Sequence, residues 1–280
     1  EEIRAGERIQ VDDRKRNPYD FVLWKKAKEN EPSWDSPWGK GRPGWHIECS
    51  VMSTKYLGES FDIHAGGADL IFPHHENEIA QSEALSGKIF AKYWLHNGYL
   101  KIDNKKMSKS LGNILKIREL CEKYDGSVIR HFLLSAHYRS PLNFSEEQVE
   151  QSKNSMDTLI NIIYNLEFFK KQGRLTKEMR PEDKELLDKK VEMVSKFVEA
   201  MDDDLNTPVA LSTLFLLAKS VNIYLNDNEL KNEEIMNEIL GFYKKYGSDI
   251  LGLKFSSKKE TNTILEDKEV DKMISDRELA

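Results

Sequence analysis

From Ser145 to Tyr246 the apolar residues recur every three or four positions, and this period constrains the fold more than any other feature of the chain. A period near 3.6 lines them along one side of a helix, and a helix with one apolar stripe must bury it against a neighbour. Met156, Leu159, Ile160, Ile163, Tyr164, Leu166 and Phe169 make the first stripe. A second helix is predicted over 183–201, burying Leu186, Leu187, Val191, Val194, Phe197 and Val198. A third opens at Thr207-Pro208, read as an N-cap followed by proline at the first helical position, and continues through Leu211, Leu214, Phe215, Ala218 and Val221. A fourth covers 233–246. Four such helices with polar joints predict an antiparallel bundle.

The first half reads differently. Residues 1–45 mix Trp24, Trp34, Trp38 and Trp45 with Pro32, Pro37 and Pro43, which predicts an irregular excursion packed on a larger body. WHIECSVMSTKYLG is a short helix closed by Gly58. A buried strand over Phe61–His64 is expected to run into a Gly66-Gly67 turn, and a helix opening on HHENE follows, ending near Gly87. YWLHNGYLKIDNKK suggests two strands around Asn97-Gly98, a hairpin-type dipeptide. Helix, strand, turn and helix in that order imply part of an α/β layer. The expected architecture is multidomain, α/β and then all-α, with 254–265 as a linker and 266–280 as the start of another charged helix.

A formal net charge of −6 excludes a global electrostatic footprint for nucleic acid, so any such role must be local. The richest local patch is Lys101, Lys105, Lys106, Lys109, Lys116 and Arg118, set against Asp103 and Glu119. Arg130, His131, Lys153 and Lys170 are expected to be ordinary surface residues. Two cysteines, Cys49 and Cys121, make no disulfide framework and predict a reduced intracellular protein. No uninterrupted apolar run has the length of a membrane span, and the opening EEIRAGERIQ reads as the middle of a domain, so a fragment is expected.

HHENE packs two imidazoles and two carboxylates into five positions. His74 and Glu78 are four apart and share a helix face; His75 and Glu78, three apart, could share one too. Such pairs are usually surface contacts. Cys49, one strand away in the layered reading, adds a sulfur donor, and sulfur, nitrogen and oxygen together suit Zn²⁺. Three ligands leave a tetrahedron incomplete, which fits either an open catalytic zinc or a structural site whose last ligand is missing. Cys121 belongs to a separate helix and is an unattractive fourth.

Lys106 to Ser110 read KMSKS, a loop whose two lysines could carry positive charge to a triphosphate. With it, the text GRPGWHIECS, FDIHAGGADLIFPHHENEIAQS and KMSKSLGN closely resembles the cysteinyl-tRNA synthetases, class I aminoacyl-tRNA synthetases, and MDDDLNTPVALSTLF resembles the start of a helix in their tRNA-binding bundle. The resemblance runs over essentially the whole chain. It implies the C-terminal half of a Rossmann-type catalytic domain, a stem-contact region and a helical bundle. The implied boundaries are 1–45 for the end of an insertion, 46–104 for the catalytic half, 105–150 for the KMSKS loop and stem contacts, 151–250 for the bundle, and 251–280 for a linker into an anticodon-binding region.

The resemblance also implies an active-site zinc that binds the substrate's own sulfur, held by Cys49, His74 and Glu78, with a fourth cysteine from a segment before Glu1 that would also carry the HIGH motif. Lys106 and Lys109 match the catalytic lysines of the loop, Lys109 contacting ATP. His64, Gly66, Gly67 and Asp69 look like the nucleotide-binding turn; Trp45 and His46 look like pocket lining, and His75 either lines the nucleotide pocket or orients neighbours. The implied partners are L-cysteine, ATP with Mg²⁺ and tRNA(Cys), in a cytoplasmic monomer with no membrane. Two alternatives stay open: a cysteine ligase acting on an amino sugar, and a non-catalytic zinc-containing RNA-binding protein.

Overall fold

The computed structural model describes residues 15–102, 104–107, 115–227 and 229–255. They form two units. The first takes the described residues up to Tyr99 together with Arg139–Pro141; the second takes Leu100–Tyr138 and the described residues from Leu142 onward.

In the first unit, β1 (Trp24–Lys26) pairs antiparallel with β2 (Gly41–Pro43). Trp34 and Trp38 of this stretch stand exposed, Trp38 at 80%. Helix α1 (Trp45–Leu57) ends at Gly58, whose φ of 94° is one that side chains resist. Strand β3 spans Phe61–Gly67 and lies parallel to β4 (Ala91–Asn97), with His64 opposite Trp94 and Gly66 opposite His96.

Gly66 and Gly67 are strand residues, not a turn, and Ile63 is 59% exposed, so the strand is not buried on both faces. Asn97-Gly98 makes no hairpin, because β4 pairs parallel with β3 and neither residue has a positive φ. A Cβ on Gly98 would stand 2.4 Å from the Ser140 carbonyl, so this glycine serves a close backbone approach. The hairpin lies further on, at Asn104 (φ 63°), between β5 (Leu100–Ile102) and β6 (Lys105–Lys106).

After β3 the chain makes a short turn over Ala68–Leu70 and a wider one over Ile71–His75, which contains a cis Phe72-Pro73 bond. It then runs directly into α2 (Glu76–Ser86), closed by Gly87 in the left-handed conformation. His75 already has helical φ and ψ, so the face shared by His74 and Glu78 is preserved.

In the second unit β5 also pairs parallel with β7 (Leu142–Phe144). Helices α3 (Ile117–Lys123) and α4 (Gly126–Leu134) precede the bundle of α5 (Glu146–Lys171), α6 (Pro181–Asp202), α7 (Thr207–Leu225) and α8 (Glu233–Phe242). Wider turns over Tyr243–Ile250 extend α8, and two short strands, β8 (Leu175–Thr176) and β9 (Lys231–Asn232), pair parallel. Helix α7 is long and apolar enough to cross a membrane, but Leu211, Leu214, Leu217 and Val221 are buried in the bundle. That burial accounts for its composition.

The predicted stripes hold in part. On α5 the buried set is Val149, Ser152, Met156, Leu159, Ile162 and Leu166, whereas Tyr164 is exposed. On α6, Met193 and Ala200 are buried while Val191 and Val198 face solvent. Helix α7 is capped by Asn206, not Thr207: the Asn206 side-chain Oδ1 accepts from the Val209 N–H, and the Thr207 hydroxyl instead donates to the Leu134 carbonyl at 2.9 Å. His131 is buried, not a surface residue.

Candidate metal centre

Four elements of the first unit converge on one carboxylate. Helix α1 brings Trp45, His46 and Cys49; β3 brings His64; α2 and the turn before it bring Glu78, His74 and His75; β4 brings Trp94 and His96. Glu78 is wholly buried. His74 Nε2 lies 2.9 Å from its Oε1 and His64 Nε2 lies 2.8 Å from its Oε2, yet neither oxygen has a partner in hydrogen-bonding geometry. The remaining imidazoles pair with one another. His46 Nδ1 is 2.9 Å from His74 Nδ1, and His75 Nδ1 is 2.8 Å from His96 Nε2.

Donor atoms of Cys49, His74 and Glu78 all lie within 4.8 Å of one another, and so do those of His64, His75 and Glu78. Around a tetrahedral zinc, ligand atoms sit about 3.5 Å apart, so small side-chain adjustments would close the first triad on an ion. Electrostatics point the same way. Burial, followed by the nearby Glu78 charge, pushes the Cys49 thiol up to about 11, and burial pushes Glu78 up to about 7. Burial also lowers His74, which favours the bare imidazole that a cation needs. A buried carboxylate whose closest neighbours are a thiol and neutral imidazoles, none of them in good hydrogen-bonding geometry, is costly alone and suits a divalent ion. The triad with sulfur is the better zinc site.

The structure brings together Trp45, His46, Cys49, His64, His74, His75 and Glu78 from the sequence set. Trp45 lies over His74, with ring centroids 4.3 Å apart. His64 turns toward Glu78, and the His75 ring fills the space above Gly66, where a Cβ would stand 2.9 Å from it. Asp69 is the middle residue of the short turn after β3 and is half-buried. Lys106 ends β6, and Lys109 lies outside the described residues. Cys121 is exposed on α3 of the second unit and is not in the group. His96 was not legible as a site residue, because the parallel pairing that sets it opposite Gly66 was read as a hairpin.

Solved tRNA synthetase structures share this fold. A LeuRS of Agrobacterium radiobacter K84, solved with tRNA and LeuAMS, matches with a TM-score of 0.55 at 13% identity, covering 82% of this chain and 32% of that one. A Mycobacterium tuberculosis methionyl-tRNA synthetase matches at 0.50 and 21% identity, covering 65% of this chain and 38% of that one. These establish the fold alone, that of a tRNA synthetase. The family model for the tRNA synthetases class I (C) catalytic domain matches residues 1–154, and the DALR domain model matches 196–256; the chain belongs to the class I (C) tRNA synthetase family. Among its relatives, the cysteine–tRNA ligase of Clostridioides difficile (strain 630) is 49% identical over 99% of this chain, and that of Thermococcus onnurineus (strain NA1) is 51% identical over 90%. The chain spans 58% and 53% of the lengths of those two relatives.

Proposed function

We propose that this chain supplies the metal-binding half of a cysteine–tRNA ligase, which joins cysteine to ATP as an adenylate, releasing pyrophosphate, and passes the acyl group to the 3′ end of tRNA(Cys). The observation that carries the reading is the convergence of Cys49, His74 and Glu78 donor atoms within 4.8 Å. A bound zinc would supply a soft Lewis acid that prefers thiolate over hydroxyl. Cysteine and serine differ by one atom, which an ordinary pocket separates poorly; about 5 kcal/mol of metal preference would give several thousandfold.

The chain's own residues have separate tasks in this reading. Cys49, His74 and Glu78 hold the ion, and Trp45 walls the pocket. Gly66, Gly67 and Asp69 stand at the carboxyl end of β3, where a nucleotide would approach as ligands do at the ends of parallel strands, and His64, turned toward Glu78, lies between that end and the metal site. Lys106 and Lys109 bring charge to the phosphates, and little covalent chemistry falls to protein groups. The helical bundle takes the tRNA, in the cytoplasm.

The test is metal content together with ligand selectivity in the protein that contains this chain. Stoichiometric zinc is expected, and Cys49→Ala or His74→Ala should weaken cysteine binding far more than ATP binding. Equal losses for both ligands in a folded variant would remove the metal from amino-acid selection. Acceptor assays decide between tRNA and an amino sugar; the DALR match over 196–256 favours tRNA.

A further inference from the structure

His46 was expected to line the pocket, but its ring faces a ligand. Its Nδ1 lies 2.9 Å from His74 Nδ1, a separation that requires one hydrogen between two nitrogens and forbids two. The hydrogen has two possible homes. If His46 donates, His74 Nδ1 is bare and its Nε2 carries the proton, which should then meet Glu78 Oε1 at 2.9 Å. That oxygen has no hydrogen-bond donor in line. If His74 donates, its Nε2 is a lone pair facing a carboxyl oxygen, an arrangement that is repulsive while Glu78 is ionised and no cation lies between them.

We infer that His46 is a positioning residue that fixes the tautomer of His74: its bare Nδ1 accepts the His74 Nδ1–H and leaves the His74 Nε2 lone pair for the ion. The inference rests on the metal-centre reading above. His46 and Cys49 are three apart on α1, so one helix delivers both a ligand and the group that orients a second ligand across the site. The rings are held for this purpose. Phe21 meets His46 edge-on at 5.7 Å, and Trp45 covers His74 from the same helix. Metal-bound histidines commonly donate their second N–H to a carboxylate, a carbonyl or water. Here the acceptor is an imidazole, which fixes geometry without adding a negative charge to a centre that already has Cys49 and Glu78.

The experiment uses the protein that contains this chain, its His46→Leu variant and its His46→Asn variant, whose side-chain oxygen can replace the acceptor. Zinc affinity is read by competition with a chromophoric chelator, and the His74 tautomer by imidazole ¹⁵N NMR of the metal-free protein. In the wild type, His74 is expected to carry its proton on Nδ1. His46→Leu should bind zinc about 10- to 100-fold more weakly, with His46→Asn restored to within about threefold of wild type. Unchanged affinity in His46→Leu, no recovery in His46→Asn, or a wild-type proton on Nε2 would each overturn the assignment. Failure of the wild type to hold zinc would instead bring down the metal-centre reading, and this inference with it. If His46→Leu does not fold, the Asn variant and the wild-type NMR still decide.

Discussion

His131, on α4, is buried against α7 with Phe215 edge-on at 5.9 Å, and neither ring nitrogen has a hydrogen-bond partner among the described residues. Burial lowers its pKa below the ordinary 6.5. The unfolded chain therefore takes up a proton near 6.5 while the folded protein does not. The stability this group permits is complete above that pH and is lost progressively as pH falls from the unfolded value to the lower folded one. His131→Leu, of similar volume and without a titrating group, should narrow the gap in urea midpoint between pH 7.5 and pH 5.5. An unaltered gap would show that His131 does not carry acid sensitivity. At Gly98 the constraint is steric. An alanine methyl would meet Ser140 backbone, which cannot rotate away, so Gly98→Ala should cost about 1–3 kcal/mol in denaturant melts.

Between the helices, a buried polar network joins α6, α7 and α8. The Tyr224 hydroxyl donates to Asp183 and accepts the Asn232 N–H at 3.1 Å; Lys231, wholly buried, donates to the Tyr224 carbonyl at 2.7 Å and to Asp227. Asp183 also accepts the Arg180 N–H at 2.7 Å, fixing the start of α6. Tyr224→Phe strands a buried carboxylate oxygen and should cost about 1–3 kcal/mol. Leu214→Ala, which leaves a cavity in the same bundle, should cost about 2–5 kcal/mol. A loss below 0.5 kcal/mol from Tyr224→Phe would mean the network does not hold the helix ends.

The helices themselves were legible because a three/four period has one structural meaning. Their faces were less so: Leu159 to Ile163 includes four apolar residues out of five, and the period cannot choose Ile162 over Ile163. The site divides in the same way. His74 and Glu78 follow from helix geometry. The His46–His74 and His75–His96 pairs, 28 and 21 residues apart, obey no spacing rule and needed the folded sheet.

The whole molecule offers a spectroscopic separation of its two units. All five tryptophans, Trp24, Trp34, Trp38, Trp45 and Trp94, lie in the first unit, whereas the long helices lie in the second. Zinc at about 100 times its dissociation constant should stabilise the first by about 2.7 kcal/mol. Tryptophan fluorescence should therefore melt later with zinc and earlier with chelator, while the far-ultraviolet dichroism of the bundle stays in place. Equal shifts in both signals would mean the units unfold as one.

Arg139–Pro141 belongs to the first unit although the residues on either side belong to the second. The polypeptide thus crosses the divide three times, and one protease nick cannot release either part. A recombinant piece ending at Tyr99 would lose the Ser140 backbone that closes on Gly98, so dissecting this molecule calls for grafting that three-residue segment back rather than trimming at a boundary.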